Sequence, residues 1–232
     1  MRGVDLEVRS GQIVAVVGLV GAGKTETARL LVGADRPEGG ELTIKGHKRS
    51  FKQPADAASA GIVIIPEERR KQGIVIHDSI ERNISLPLLD KLSSFSFVVG
   101  KKEKELAERV VSAFGIKSSS IKQQVKYLSG GNQQKVAIGK WLEKDADVLV
   151  FDEPTKGVDV GAKSDIFKII GELAAKGKGI LYFTSELDEG LGIGDVIYVM
   201  YDGQIAAKFD RGDITEEAAL YYASGGQGDY KK

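Results

Sequence analysis

A glycine-rich loop between an apolar strand and a helix constrains this chain more than any other segment. Residues 12–17 (QIVAVV) predict a buried strand, and residues 24–32 (KTETARLLV) predict a helix that ends near Gly33. Between them, residues 18–25 read GLVGAGKT. Glycines let such a loop wrap with its backbone N–H groups pointing inward, and these donors bind phosphate oxygens together with the helix N-terminus. The sequence therefore predicts a nucleoside-triphosphate site at this phosphate loop.

Two side chains of the phosphate loop have separate predicted roles. Lys24 would neutralise the β- and γ-phosphates of ATP, and the hydroxyl of Thr25 would bind Mg²⁺. The alternative is a strand–helix turn that binds nothing, but the strand, the spacing and the Lys-Thr pair together favour a phosphate site. The predicted ATP-binding residues of the loop are Gly18, Leu19, Val20, Gly21, Ala22, Gly23, Lys24 and Thr25.

An acidic pair follows a second apolar strand. Residues 148–151 (VLVF) precede Asp152 and Glu153. Open α/β sheets place ligands at the C-terminal ends of their strands, so Asp152 is predicted to hold Mg²⁺ through water. Glu153 is predicted to orient or deprotonate the attacking water. An acidic pair after a strand also occurs for solubility alone, so the prediction that Lys24, Asp152 and Glu153 are catalytic depends on the phosphate loop.

A second glycine-rich turn has no task inside the same site. Within residues 128–135 (LSGGNQQK), a helix is predicted to begin at the glycines, and its N–H groups with the Ser129 hydroxyl would form a second anion cradle. An ordinary capped helix is the alternative. Because the phosphate loop already wraps one ATP, this cradle is predicted to cap the γ-phosphate of ATP in a facing subunit. We call it the SGGN turn; its members are Ser129, Gly130, Gly131 and Asn132.

Composition is compatible with one large α/β domain that carries an inserted subdomain. The chain has 232 residues, of which 42% are hydrophobic and 28% charged. Lys plus Arg and Asp plus Glu both number 33, so net charge gives no indication of nucleic acid or of an anionic membrane surface. No apolar run is long enough to span a bilayer, and any membrane connection is therefore expected to go through a partner.

Strands that alternate with helices predict a mostly parallel sheet covered on both faces. The pattern becomes helical at about residues 88–144, which predicts an inserted helical subdomain, and residues 224–232 are predicted to be a flexible tail. Asp202-Gly203 predicts a hairpin turn. The other predicted strands are residues 5–8, 41–45, 62–65, 180–184, 196–200 and 204–208, and the other predicted helices are residues 101–114, 129–141, 162–176 and 215–222, with Ser79 as a further helix cap.

The three motifs together resemble the nucleotide-binding domain of ABC-type ATPases over almost the whole chain. Residues 128–142 (LSGGNQQKVAIGKWL), 152–163 (DEPTKGVDVGAK) and 65–70 (IPEERR) are similar to the second ATPase half of bacterial ribose-, xylose- and galactoside-type importers. The resemblance implies an α/β fold, a P-loop NTPase with an ABC-type core sheet, an antiparallel β portion and an inserted helical subdomain in one domain over residues 1–232.

The same resemblance implies an activity and its partners. The expected function is ATP hydrolysis, with ATP and Mg²⁺ as cofactors, that powers import of a monosaccharide. The expected partners are a second ABC ATPase domain, fused or separate, a transmembrane permease and an external sugar-binding protein, with no nucleic acid. The expected location is peripheral, at the cytoplasmic face of the membrane.

Three further positions are assigned by the resemblance. Asp159 matches a loop that crosses the dimer interface, which is compatible with its also being a helix cap. Glu186 stands where most ABC ATPases have a switch histidine, and Glu67 stands where they have a glutamine that touches Mg²⁺. Both glutamates are predicted to lie in the ATP site, and both are interpreted as features typical of this branch of the family.

The start of the chain departs from the family pattern. None of the 17 residues before Gly18 is aromatic, whereas the family has an aromatic residue there that stacks on adenine. The chain is therefore expected to begin just inside its domain and to bind ATP weakly. Together with Glu186, whose carboxylate would repel the γ-phosphate, the missing aromatic residue predicts weak ATPase activity in isolation. Stacking contributes about 1–3 kcal/mol per base in other systems.

Three alternatives stay open at the level of sequence. The chain could be a non-catalytic, ATP-gated dimerisation half whose SGGN turn serves the partner's site. It could belong to a nucleoside importer, because those importers share many of these motif residues. A soluble ABC ATPase of translation or DNA repair is disfavoured by the balanced charge and by the lack of a long coiled-coil insertion.

Overall fold

The computed structural model describes residues 3–94, 97–228 and 230, which divide into two compact units. The first unit comprises Met1–Glu67, Ala146–Pro154 and Ile170–Lys232, and the second comprises Glu68–Asp145 and Thr155–Ile169. The helical insertion predicted at about residues 88–144 falls inside the second unit, which begins earlier along the chain. None of the described helices is both long and apolar enough to cross a bilayer.

Strands and helices alternate along much of the chain, as the sequence predicts. The strands are β1 (Ile13–Val17), β2 (Leu42–Ile44), β3 (His47–Arg49), β4 (Ile62–Ile65), β5 (Ser93–Ser94), β6 (Phe97–Val98), β7 (Val148–Asp152), β8 (Gly179–Thr184), β9 (Val196–Tyr201) and β10 (Gln204–Asp210). The α-helices are α1 (Lys24–Leu31), α2 (Pro54–Ser59), α3 (Ile80–Ser85), α4 (Leu89–Leu92), α5 (Gly100–Ala113), α6 (Gly130–Gly139), α7 (Val160–Ala175), α8 (Leu187–Ile193) and α9 (Glu216–Ala223). A π-helical turn spans Arg69–Gly73, and 3-10 turns span Leu86–Leu88 and Val125–Tyr127.

A six-stranded sheet is the framework of the first unit. Its strand order is β10-β9-β1-β8-β7-β4, in which β9, β1, β8, β7 and β4 run parallel and β10 pairs antiparallel with β9. The residues of β1 show why the central strands are apolar throughout. Val14 and Val16 pack on the side of α1 and α2, and Ala15 and Val17 pack on the side of α8 and α9. Both faces are therefore covered, as in other parallel sheets.

The second unit is mainly helical around α3, α5 and α6. Ile84, Val110 and Val136 are fully buried among these helices. Gly139 permits a close approach of α6 to α5, because a Cβ at this position would lie 2.6 Å from a methyl carbon of Val110. The hydroxyl of Ser79 accepts a hydrogen bond from the backbone N–H of Arg82 and caps α3, which confirms the predicted cap.

The strand predicted at residues 5–8 is wrong. The backbone of residues 3–9 has no strand assignment, although Leu6 and Val8 pack against the apolar core of the sheet while Asp5 and Glu7 are exposed. The alternation in the sequence therefore correctly indicates which side chains are buried. A strand also needs a neighbouring strand that hydrogen-bonds to its N–H and C=O groups, and the alternation does not show whether such a neighbour exists. Helices α2, α4 and α8 and strands β3, β5 and β6 were not predicted individually.

The last part of the chain contains the predicted hairpin and the predicted tail. Asp202 and Gly203 both have positive φ angles, of 47° and 77°, as a two-residue hairpin turn requires, so the predicted hairpin between β9 and β10 is confirmed. In the predicted tail, the Tyr221 hydroxyl donates a hydrogen bond to the carbonyl oxygen of Gln227. Flexibility of this tail stays a prediction, and residues 229, 231 and 232 lie outside the described residues.

Candidate functional site

The carboxyl ends of four neighbouring parallel strands gather the predicted catalytic segments of the first unit. Strands β1, β8, β7 and β4 are consecutive in the sheet. The phosphate loop follows β1, Ser185 follows β8, Asp152 ends β7, and Glu67 comes shortly after β4. Segments far apart in sequence therefore leave the sheet at the same edge, which is where open α/β sheets bind ligands.

The glycines of the phosphate loop have identifiable structural causes. Gly21 and Gly23 have φ angles of 85° and 104°, in the left-handed region that glycine adopts without steric cost. Gly18 is required by close packing, because a Cβ there would lie 2.4 Å from the carbonyl oxygen of Met200. The loop is thereby shaped to lead directly into α1, whose first residue is Lys24.

The ammonium group of Lys24 is buried inside the phosphate loop. It donates hydrogen bonds to the carbonyl oxygens of Gly18 (2.8 Å) and Leu19 (3.0 Å) and lies 3.7 Å from Oε1 of Glu153. Burial lowers the pKa of Lys24, and the charges of Glu153 and Asp152 oppose this shift. The ammonium is therefore held where the loop closes on a phosphate, facing the predicted catalytic carboxylate.

Asp152 lies against Thr25 at the end of β7. The Thr25 hydroxyl donates a 3.1 Å hydrogen bond to Oδ1 of Asp152, whose side chain is 2% exposed. Burial raises the pKa of Asp152 to about 6, with further upward contributions from the charges of Glu67 and Glu153, while the Thr25 hydrogen bond and Lys24 lower it. The negative charges of Asp152, Glu153 and Glu67 therefore exceed the single positive charge of Lys24, and a bound cation would offset the excess.

The residues present fit a Mg²⁺ ion that depends on a bound nucleotide. Thr25 and Asp152 supply two adjacent oxygen ligands. Among residues 3–94, 97–228 and 230, no group of three or more His, Asp or Glu side chains is placed to hold a metal ion by itself. Mg²⁺ in such sites takes one or two protein ligands, and phosphate oxygens and water supply the rest.

Glu153 adopts a strained backbone conformation. Its φ angle is 46°, its side chain is 9% exposed, and its N–H donates to the carbonyl oxygen of Phe183 in the neighbouring strand. A left-handed conformation costs a non-glycine residue about 1–3 kcal/mol and tends to occur at functional sites. The carboxylate of this strained, buried residue lies 3.7 Å from the ammonium of Lys24, which supports the predicted catalytic role of Glu153.

Ser185 is a site residue that was not predicted from the sequence. Its hydroxyl donates a 3.2 Å hydrogen bond to Oε2 of Glu153. Glu186 is exposed and precedes α8, with its N–H bonded to the Thr184 hydroxyl at 3.1 Å. Glu153 is therefore contacted by Ser185 as well as by Lys24, and a nucleotide contact by Glu186 stays a prediction. The sequence does contain an indication of Ser185, because a polar residue directly after an apolar strand is the same pattern that identified Asp152.

In the second unit, Ser129 caps α6 and keeps a donor free for an acceptor. Its Oγ accepts hydrogen bonds from the backbone N–H of Asn132 (3.4 Å) and from the Asn132 side-chain amide (2.9 Å). A serine hydroxyl has two lone pairs and one O–H. Because both lone pairs are engaged and Ser129 is exposed, its O–H can point to an anion at the helix N-terminus.

The two glycines of the SGGN turn are closely packed against neighbouring segments. A Cβ on Gly131 would lie 2.3 Å from Cβ of Ala162, and a Cβ on Gly130 would lie 2.9 Å from Nη2 of Arg69 and 3.0 Å from the carbonyl oxygen of Gly157. Neither glycine has a positive φ angle. Gly131 therefore needs the absence of a side chain, and a side chain at Gly130 would displace the guanidinium of Arg69 and crowd the Gly157 carbonyl.

Asp159 caps the beginning of α7. Its Oδ1 accepts a 3.0 Å hydrogen bond from the N–H of Ala162, and its side chain is exposed. The cap interpretation is confirmed. The coupling of two ATP sites by Asp159 stays a prediction.

We expect Gly131→Ala to destabilise the chain, because the new methyl group overlaps Ala162. Overpacking of this kind costs about 1–3 kcal/mol. Urea denaturation measures the loss. The matched control is Gly171→Ala in α7, where a Cβ meets nothing within 4 Å, and alanine there should be neutral or stabilising. Equal stability of the two variants would contradict the packing role of Gly131.

We expect Asp152→Asn to stabilise the ligand-free chain at pH 8. The pKa of Asp152 is about 6 in the folded chain, against an ordinary value of 3.8, so its contribution to stability is complete below about pH 4 and is lost as the pH rises through about 6. Asparagine removes that loss, which is worth up to about 3 kcal/mol. Denaturation at pH 8 and pH 4 measures it, with the exposed Asp213→Asn as control. A variant less stable than the parent at pH 8 would show that the buried charge is compensated.

Comparison with known proteins agrees with this geometry. Residues 1–156 match the family described as ABC transporter. The chain is 41% identical over 225 residues to the ribose import ATP-binding protein RbsA of Oceanobacillus iheyensis, covering 97% of this chain and 45% of that protein. It is 44% identical over 223 residues to the arabinose import ATP-binding protein AraG 1 of Burkholderia thailandensis, covering 95% and 44%. The chain thus spans less than half the length of these relatives.

Solved structures confirm the fold. A nucleotide-free ATP-binding cassette from an ABC transporter superposes with a TM-score of 0.77 at 26% identity, covering 91% of this chain and 85% of that chain. An ATP-binding cassette of an ABC transporter in its ADP conformation gives a TM-score of 0.74 at 26% identity, covering 95% and 87%. The predicted α/β P-loop fold of an ABC cassette is therefore confirmed.

Proposed function

Because this chain belongs to the ABC transporter family, we propose that it is an ATP-binding and ATP-hydrolysing half that powers import of a monosaccharide. The observation that carries the proposal is the arrangement of Glu153, which is buried, strained and contacted by both Lys24 and Ser185. A half that only bound ATP would not need a carboxylate held in this way. The ribose and arabinose import functions of the relatives support the sugar as cargo.

Binding of ATP is the first step. The N–H groups of the phosphate loop and the ammonium of Lys24 would hold the β- and γ-phosphates. Thr25 and Asp152 would hold Mg²⁺, which neutralises phosphate charge when it is bound. Glu67 adds negative charge near Asp152 and would favour the metal further.

Glu153 would act as the general base for hydrolysis. An oxygen of water forms a bond to the γ-phosphorus, the bond from that phosphorus to the β,γ-bridging oxygen breaks, and a proton of the water passes to a carboxylate oxygen of Glu153. ADP and inorganic phosphate leave with the bridging electron pair on ADP. The Ser185 hydroxyl fixes one carboxylate oxygen by donating to it, which orients the other. Lys24 stabilises the negative charge on the phosphates.

The SGGN turn would serve a second ATPase domain. Its N–H groups, together with the Ser129 hydroxyl, would cap the γ-phosphate of ATP held by that domain, and Asp159 would link the two sites. We propose a transmembrane permease and an external sugar-binding protein as the further partners, with this chain at the cytoplasmic face of the membrane. The relatives are more than twice as long as the segment they share with this chain, which leaves room in them for another domain.

The test is hydrolysis of radiolabelled ATP by the chain alone and by the chain mixed with a candidate first ATPase half. We expect slow turnover by the isolated chain and faster turnover after mixing, because each site is completed by the SGGN turn of the other domain. The isolated chain should also bind ATP in a titration. A rate near 1 s⁻¹ for the chain alone, in the range of working enzymes, and lost in Glu153→Gln, would contradict the weak isolated site. No ATP binding at all would contradict the function.

A further inference from the structure

A cationic turn lies against the SGGN turn within the second unit. The guanidinium of Arg69 donates to the carbonyl oxygens of Lys156 (Nη1, 3.0 Å) and Gly157 (Nη2, 3.4 Å). The same Nη2 would lie only 2.9 Å from a Cβ on Gly130. Gly130 thus leaves space that Arg69 fills, and the positive charge sits beside the start of α6.

The turn that carries Arg69 is fixed along α6 at two further points. Nε of Arg70 donates to Oε1 of Gln133 at 3.0 Å, and the buried amide of Gln133 in turn donates to the carbonyl oxygen of Leu128. The ammonium of Lys140, just past the C-terminal end of α6, donates to the carbonyl oxygen of Gly73. The π-helical turn is therefore held at both of its ends, and the position of Arg69 is determined by this framework.

The positive charge of Arg69 is not offset by an ion pair with a described carboxylate. Among the described residues, no carboxylate lies within ion-pair distance of its guanidinium, and its buried Nε has no hydrogen-bond partner. Burial and the neighbouring charge of Arg70 lower the pKa of Arg69 below its ordinary value, and an arginine remains charged at pH 7 even so. Its two carbonyl partners carry no net charge, so the positive charge of the guanidinium is still available to attract an anion.

Arg69 also removes an electrostatic obstacle at the SGGN turn. The carbonyl oxygen of Gly157 would lie 3.0 Å from a Cβ on Gly130, so the negative end of a C=O dipole stands next to N–H groups that would bind an anion. The guanidinium binds that oxygen and the one before it in the chain. The local potential at the start of α6 then comes from the helix N–H groups and the arginine charge, and both attract anions.

We propose that Arg69 is a positioning residue of the SGGN turn, which neutralises the adjacent carbonyl oxygens and makes the turn electropositive for the terminal phosphate of ATP bound by a second ATPase domain. This inference rests on the proposed function, because it assumes that the SGGN turn receives a phosphate. Arg69 acts through the loop of Lys156 and Gly157 and through its charge, and it needs no direct bond to the phosphate.

Titration of the ¹⁵N-labelled chain with inorganic phosphate, followed by amide NMR, tests the inference. We expect the amide signals of residues 130–132 to shift saturably in the unsubstituted chain. In Arg69→Gln the apparent Kd at these amides should rise about tenfold, the effect of losing one nearby charge in a partly buried setting. The amides of the phosphate loop should titrate as before in the same sample, which provides an internal control.

Two further variants separate charge from structure. Arg69→Lys keeps the charge but not the planar fork, so it should recover most of the affinity if charge is what matters. Lys71→Gln removes an exposed charge of the same turn, one that pairs with Glu68, and should leave the titration unchanged. Added salt should shrink the Arg69→Gln defect, because it screens the charge.

The outcomes are distinguishable. An unchanged Kd in Arg69→Gln would overturn the role of Arg69 and leave the proposed function standing. Equal loss in Arg69→Gln and Arg69→Lys, insensitive to salt, would show a purely structural latch and would also overturn it. If residues 130–132 do not respond to phosphate even in the unsubstituted chain while the phosphate loop does, the role proposed for the SGGN turn fails as well.

Discussion

Glu153→Gln should lower the rate of ATP hydrolysis by about 10²–10⁴-fold, the contribution typical of a general base, while ATP binding is retained. Glutamine has the same shape and can still accept the hydrogen bond from Ser185, but it cannot take a proton from water. The loss of charge opposite Lys24, 3.7 Å away, should leave nucleotide affinity equal or slightly higher. Single-turnover hydrolysis with protein in excess over radiolabelled ATP measures slow rates, and a fluorescent ATP analogue measures binding.

The matched control for this variant is Glu172→Gln, the same chemical change at an exposed position of α7. It should leave both hydrolysis and binding unchanged. If Glu153→Gln hydrolyses ATP at the rate of the parent, another group must be the base, and the assignment of Glu153 is wrong. If both rate and binding are lost together, Glu153 is needed to shape the site and its role in the chemical step is not supported.

Lys24→Met should weaken ATP binding by about 100-fold. The ammonium offers charge-assisted hydrogen bonds to phosphate, each worth roughly 1.5–3 kcal/mol, and methionine has a similar length without the charge. The neighbouring carboxylates would then face the phosphates with less compensation. Since Lys24 lowers the pKa of Asp152, its removal should raise that pKa further and make Mg²⁺-dependent binding more sensitive to acid. ATP titrations at pH 6 and pH 8 measure both effects.

Lys52→Met serves as control because Lys52 is exposed and precedes α2, away from the phosphate loop in sequence. Its ATP affinity should equal that of the parent. An unchanged affinity in Lys24→Met, with the fold intact by circular dichroism, would mean that the phosphate loop does not bind nucleotide here. A change in affinity that is the same at both pH values would remove the link between Lys24 and Asp152.

Local features of the site could be predicted from sequence because they are written in consecutive residues. The phosphate loop is a strand, a glycine-rich turn and a helix in direct succession, and the structure has β1 and α1 at those places. The N-terminal cap at Ser129 follows from a hydroxyl that accepts a hydrogen bond from a nearby backbone N–H. The hairpin turn follows from two consecutive residues, Asp202 and Gly203, that tolerate positive φ angles. Each depends on interactions within a few residues.

Other features could not be predicted because they depend on which segments become neighbours. Residues 5–8 alternate as a strand would, yet no described strand pairs with them. The contact of Ser185 with Glu153 exists because β7 and β8 lie side by side, a pairing that joins distant parts of the chain. In the sequence, Arg69 is only one basic residue in a charged loop. The structure shows that its guanidinium lies next to Gly130.

The sequence by itself determined the kind of chemistry: a phosphate-binding loop with Lys24 and Thr25, an acidic pair after an apolar strand, and a second glycine turn for an anion. Tertiary structure decided how those groups are tuned. Burial at the end of β7 raises the pKa of Asp152 to about 6, and the fold places the carboxylate of Glu153 3.7 Å from the ammonium of Lys24. The physical reason is that residue type fixes which charges and donors exist, whereas desolvation and distance, which set their strength, arise only when the sheet brings its strands together.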